Sequence, residues 1–247
     1  MFSLCVALGA VVGPLIGGYL SFETVYIVCI IVGGAAIFFS YWVPHLSKPS
    51  DKRESTKLID SFKLFENPLI RRALFSSALV LYSKDIFVAY FPLLGKQVGL
   101  STAAIGWILA LQGLATMFVR FVLPKLLEIY KRDTILFTSI LVAGIAFFLL
   151  PFNHSLLVIA LLAILLGLGL GCGQPISMTT TYNASPPDRT AEVLGLRIAT
   201  NRLFQLVAPS VFGVIGGSVG MMGVFIFSGA FLVGGSLVFR KERGEKE

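Results

Sequence analysis

A lysine and an aspartate stand side by side at Lys84-Asp85, between eleven uncharged residues (73–83) and ten more (86–95). Charges set that deep in an apolar run cost about 2.5–3.5 kcal/mol each on membrane-insertion scales, so something must compensate them. Either they face a watery cavity and bind a substrate or ion, or they ion-pair and hold helices together. Successive residues of a helix point about 100° apart, so the two pair poorly with each other and the cavity reading is favoured. Further along, Gln112, Thr116 and Arg120 recur at i, i+4 and i+8, as do Arg197, Asn201 and Gln205, while Gln174, Ser177, Thr181 and Tyr182 share one helical face. Any one such stripe serves as interhelical hydrogen-bonding glue more often than as a transport path. Taken with the central charges, they make Lys84, Asp85, Gln112, Thr116, Arg120, Gln174, Arg197, Asn201 and Gln205 the substrate-cavity candidates.

Other chemistries lack their residues. The two histidines, His45 and His154, fall at opposite ends of apolar runs, and neither HExxH nor GxSxG occurs. Asp85 is the only mid-membrane carboxylate, which excludes a paired-aspartate protease. Gly167–Gly173 resembles a dinucleotide loop only superficially, because Cys172 and Gln174 stand where its third glycine is needed. Cys5, Cys29 and Cys172 lie singly in apolar runs and read as small packing residues. No catalytic residue, metal site or cofactor is expected.

The elements that must position these groups are membrane spans. Of the 247 residues, 56% are hydrophobic and 13% charged, about half the charge of a soluble domain. The stretches 1–22, 24–47, 97–119, 134–187 and 203–239 contain no Asp, Glu, Lys or Arg, and each exceeds the roughly 18 residues of a membrane-helix candidate. The two longest must be divided, at Pro151-Phe152-Asn153-His154 and at Gly216-Gly217-Ser218-Val219-Gly220. The expected class is an all-α integral membrane bundle with eight spans, near 3–22, 24–43, 73–95, 102–123, 134–151, 155–182, 192–215 and 220–239.

The net charge of +7 resides in loops, which argues for membrane orientation and against nucleic acid. The 44–72 loop contributes Lys48, Lys52, Arg53, Lys57, Lys63, Arg71 and Arg72, the 124–133 loop Lys125, Lys131 and Arg132, and the tail Arg240, Lys241, Arg243 and Lys246. The alternate loops hold only Lys96. With eight spans all basic loops share one side, placing both ends in the cytoplasm. Within 44–72, Leu58, Phe62, Phe65 and Leu69 recur at helical spacing, as in a short surface helix ending near Asn67-Pro68; a flexible linker is the equal alternative. Spans three, four, six and seven carry the polar stripes, and spans two, five and eight have no charged or amide interior. An inner ring around a cavity and an outer ring facing lipid follow.

Glycine supplies the packing pattern. Gly9, Gly13 and Gly17 recur every fourth residue, as do Gly167 with Gly171 and Gly169 with Gly173, a spacing that lets helix backbones approach closely. The first stripe lies in Gly9-Ala-Val-Val-Gly13-Pro14-Leu-Ile-Gly17-Gly18, which resembles the glycine–proline signature of the fifth helix in major facilitator superfamily antiporters. The segment from Gly167–Gly173 through Gln174-Pro175, Pro186-Pro187-Asp188-Arg189, Leu194-Gly195-Leu196-Arg197, Asn201-Arg202 and Pro209 resembles the tenth and eleventh helices of many bacterial members, and Gly106 and Arg120 sit where the eighth often has Gly and Arg.

The resemblance implies helices five to twelve of a twelve-helix transporter: residues 1–43 as the last two helices of the N-terminal bundle, 44–72 as the cytoplasmic linker, 73–239 as the C-terminal six-helix bundle and 240–247 as a cytoplasmic tail. Four N-terminal helices, with their coupling carboxylates, would then be missing partners, and the chain would be a truncated portion. The acidic, arginine-rich loop motif of the family is reduced to Pro124–Arg132, which keeps the charge without the glycines. The implied activity is proton-coupled efflux of a small molecule by alternating access, in a bacterial cytoplasmic membrane. A non-transporting scaffold or receptor on the same helices is the alternative.

Overall fold

The computed structural model describes residues 2–20, 22–42, 63–187 and 189–241, with the side chains of 2–8, 10, 22, 63 and 238–241 left aside. Cys5, His45, most of the 44–72 loop (Leu58 and Phe62 included), Asp188 and the tail beyond Lys241 therefore lie outside the description. The chain is all-α: α1 (Phe2–Tyr19), α2 (Phe22–Ser40), α3 (Pro68–Gln97), α4 (Thr102–Ile129), α5 (Arg132–Leu149), α6 (Leu156–Ala184) and a helical run Thr190–Lys241. That run is broken at Gly220, whose φ of +80° and ψ of 179° lie in a region open essentially to glycine alone. Its limbs are α7 (190–219) and α8 (221–241). Among the described residues, six helical runs are long and apolar enough to cross a bilayer: α2 to α6 and 190–237. The last has 48 residues, roughly 72 Å at 1.5 Å per residue, more than twice the hydrocarbon thickness of about 30 Å. It therefore has to fold back, and it does. Phe212 and Phe231, one from each limb, both pack on the Tyr82 ring, with centroids 5.9 and 5.5 Å away.

The helix ends follow local chemistry. Asn67 caps α3 by accepting from the Leu69 amide at 3.0 Å, ahead of Pro68 in the first turn, and Ser101 caps α4 by accepting from Ala104 at 3.2 Å. Asn67-Pro68 thus opens a membrane helix, and Arg71 and Arg72 lie inside its first turns. In place of the expected surface-helix face, Lys63–Glu66 form a single 3-10 turn in which Leu64 is buried against Ile70, Leu74 and Val193 while Leu69 is exposed. Asn67, extended at φ −71° and ψ 115°, interrupts the helical path, so no single helical stripe continues to Leu69. The expected five-residue turn at 216–220 is likewise reduced to Gly220, because one glycine at positive φ suffices for the reversal.

The core runs through α3, α5, α6 and α8. Phe87 stacks on Phe91 at 4.9 Å and meets Phe147 edge-on at 6.1 Å, and Phe147 reaches Phe225 at 5.8 Å. Helix α6 sits among three neighbours through its glycines. Gly167 and Gly171 face Gln112 and Thr116 of α4, Gly169 faces Ser139 of α5, and Gly173 faces Val80 of α3. A Cβ on Gly169 would stand 2.6 Å from the Ser139 carbonyl oxygen, so a side chain there would force the helices apart.

Helix α1 packs differently from its glycine pattern. Gly9, Gly13 and Gly17 have nothing within 4 Å of where a Cβ would stand. Contact runs instead through the neighbouring register, where Pro14 and Gly18 lie on Gly106 of α4. A Cβ on Gly106 would meet the Pro14 carbonyl oxygen at 2.6 Å. The Trp107 indole N–H donates to the Tyr19 hydroxyl at 2.6 Å and ties down the end of α1.

Candidate functional site

Five of the polar residues singled out above meet in one cavity of about 440 Å³. Lys84 enters from α3, Thr116 and Arg120 from α4, Gln174 from α6 and Arg197 from α7, over a floor that includes Val80, Leu81, Leu170, Pro175 and Met178. The four helices that line it are the four polar-striped ones. Arg197 is 8% exposed. Its Nη2 donates to Gln174 Oε1 at 3.0 Å, and its Nη1 rests 3.5 Å from the Met178 sulfur. Gln174 in turn points its amide N–H toward the Ser77 carbonyl of α3 at 3.4 Å. The guanidinium is thus oriented by neutral groups, and its positive charge is not cancelled by any of them.

The other four candidates sit elsewhere. Gln112 is buried and donates to the Thr116 hydroxyl at 3.2 Å, and that hydroxyl also reaches the Gly167 carbonyl at 3.1 Å. The upper half of the α4 stripe is therefore a polar seam onto α6, and only its lower half opens into the cavity. Asn201 is buried and donates to Ser77 Oγ at 2.9 Å. Asp85 accepts from Gln205 Nε2 at 2.5 Å, and Gln205 Oε1 accepts from Arg202 at 2.9 Å. A one-residue step along α3 accordingly separates two environments: Lys84 faces the cavity, while Asp85 turns to α7.

These contacts form a ladder of three rungs between α3 and α7: Ser77 with Asn201, Asp85 with Gln205, and the Tyr90 hydroxyl with the Pro209 carbonyl at 3.2 Å. Both numberings rise together, so the two helices run parallel, as spans four apart in an alternating chain must. Sequence reading missed Ser77 and Tyr90, and named Arg202 only within the Asn201-Arg202 resemblance. The i, i+8 spacing of Ser77 and Asp85 on one face of α3 was the available signal. Of the glycine–proline motif, Pro14 and Gly18 touch α4, and Gly9, Gly13 and Gly17 do not. Among the described residues no group of His, Cys, Asp and Glu is placed to hold a metal ion.

An all-α bundle that crosses the membrane several times, with a polar cavity between four of its helices, defines a multi-pass membrane protein. Residues 73–247 match the Major Facilitator Superfamily, and the chain belongs to that family. It is similar to an uncharacterized transporter, YycB, of Bacillus subtilis (strain 168), with 23% identity over 190 residues, 74% of this chain and 46% of that protein. It is also similar to the multidrug resistance protein MdtH of Proteus mirabilis (strain HI4320), with 23% identity over 193 residues, 76% of this chain and 48% of the relative. The chain spans about half the length of these curated relatives.

Proposed function

We propose secondary active transport of a small molecule by alternating access, with the cavity between α3, α4, α6 and α7 as the substrate site. The observation that carries the reading is the convergence of Lys84, Thr116, Arg120, Gln174 and Arg197, from four helices, on one 440 Å³ space. Binding sites at the interface of transporter bundles are built this way, and rocking of one bundle against another opens them to each side in turn. In this proposal residues 1–43 belong to one bundle, 44–72 link, 73–239 form the second, and both ends of the chain face the cytoplasm.

Coupling to protons runs through Asp85, the one carboxylate in the interior of a span, whose partner Gln205 lies on the facing helix. Protonation would remove its charge and weaken its hold on Gln205, biasing one arrangement of α3 and α7 over the other. The direction proposed is outward, in keeping with the name of the multidrug resistance protein among the relatives. The test uses vesicles containing the protein made from the full reading frame, an imposed pH gradient and a pH-sensitive dye. Substrate addition should discharge the gradient, and Asp85→Asn should lower proton-driven accumulation at least about tenfold while sparing substrate exchange. No flux of any solute would overturn the transport reading, and full coupling in Asp85→Asn would remove the aspartate from it.

A further inference from the structure

We infer that the cavity takes an anion: a small organic molecule carrying a carboxylate, phosphate or sulfonate, gripped by Lys84, Arg120 and Arg197. The inference rests on the reading of this cavity as the binding site, and it names the chemical class of the occupant.

The lining holds three cationic side chains and no Asp or Glu. The one carboxylate within a residue of it, Asp85, is turned away to Gln205. Arg197 is more than nine-tenths buried, and its Nε has no hydrogen-bond partner. The groups its other nitrogens meet, Gln174 and Met178, are neutral. Burying a guanidinium such as that of Arg197 among neutral groups in a membrane is expensive unless a counter-charge joins it. A guanidinium held in place by a glutamine presents the planar fork that matches two oxygens of a carboxylate or phosphate. The floor is apolar, through Val80, Leu81 and Leu170, and would cover the hydrocarbon body of such a molecule. A cationic or neutral drug would find no acidic group here and would leave Arg197 unmatched.

The same headgroup chemistry is found on lipids, so the test separates the sources. The purified 247-residue chain is placed in phosphatidylcholine nanodiscs and titrated with benzoate, inorganic phosphate and tetraphenylphosphonium, following calorimetric heat and melting temperature. Saturable binding of benzoate or phosphate, weakened by added salt, is expected, and tetraphenylphosphonium should not bind. Arg197→Gln should weaken anion binding roughly tenfold or more, Lys84→Met should weaken it less, and Arg197→Lys should recover part of the loss. Circular dichroism and gel filtration of each variant establish that the bundle remains folded. If phosphatidylglycerol in the disc competes with the soluble anion, a lipid phosphate occupies the cavity; if it does not, the occupant is a free anion. Absence of anion binding in both lipid mixtures overturns the inference, as does unchanged affinity in folded Arg197→Gln. In the vesicles of the transport assay, anion binding without flux would sink the transport reading alone, and flux of a cation, indifferent to Arg197→Gln, would sink the anion alone.

Discussion

Helix α2 is more apolar than α3, yet the two have opposite fates. In its most apolar 18 residues α2 buries nothing, whereas more than half of the equivalent stretch of α3 is buried. Inside a bilayer, lipid tails are as apolar as leucine, so apolarity commits a helix to the membrane without choosing its neighbour. Choice comes from close backbone approach and polar pairs. Helix α3 has both, in the Val80–Gly173 contact and the ladder to α7. Helix α2 has small residues at Gly33-Gly34-Ala35-Ala36, but a Cβ on either glycine would meet no neighbouring helix within 4 Å. Helix α1 is intermediate, seated on α4 by one register of its surface and open on the other.

The contrast can be broken by adding bulk in three places. The largest effect is expected from Gly167→Leu, whose side chain would collide with the Gln112 backbone and Ala115. Overpacking of that kind costs about 3 kcal/mol or more at a backbone-to-backbone contact, and loss of a monodisperse folded species in gel filtration checks it. Gly106→Val should act locally. It collides with the Pro14 carbonyl oxygen, so α1 should lift from α4 and the Trp107–Tyr19 hydrogen bond should be lost. A shift in Trp107 fluorescence with an unfolding midpoint close to wild type is the expected pair of readings. A collapse as deep as that of Gly167→Leu would mean that α1 belongs to the same cooperative unit as α3 to α8. The smallest effect is expected from Gly17→Ala, where the added methyl meets nothing, and stability should stay within about 0.5 kcal/mol. A loss above about 1 kcal/mol would sharpen the contrast differently, by showing that the open stripe of α1 is covered in the membrane.

How much of this was readable in the residues depends on what each one costs in a membrane. Lys84, Arg120 and Arg197 are expensive in apolar runs, so their positions announced the cavity and the four helices around it. The 100° between successive helical residues said that Lys84 and Asp85 would pair poorly, but both were expected at the cavity, and Asp85 turns instead to Gln205. Ser77 and Tyr90 cost little in a span and carry no such mark, so their partners on α7 became visible only with the helices in place. Gln112 and Arg120 lie on one stripe but end in different settings, since α4 leans on α6 at Gly167 and lets its other end open into the cavity. Glycine spacing pointed to Gly9/Gly13/Gly17 as the close-packing stripe of α1, but Pro14/Gly18 satisfy the same rule, and the complementary notch at Gly106 selects them.

The reversal at Gly220 also bears on how the chain is built into a membrane during synthesis. Between α7 and α8 the helical run is interrupted by one residue, and the nearest charged side chains are Arg202 and Arg240. The turn adds a single residue to the two helix ends, and no charged segment has to be dragged through hydrocarbon. The pair can therefore leave the insertion machinery as one closed hairpin, zipped on Tyr82 by Phe212 and Phe231, instead of as two spans threaded in sequence.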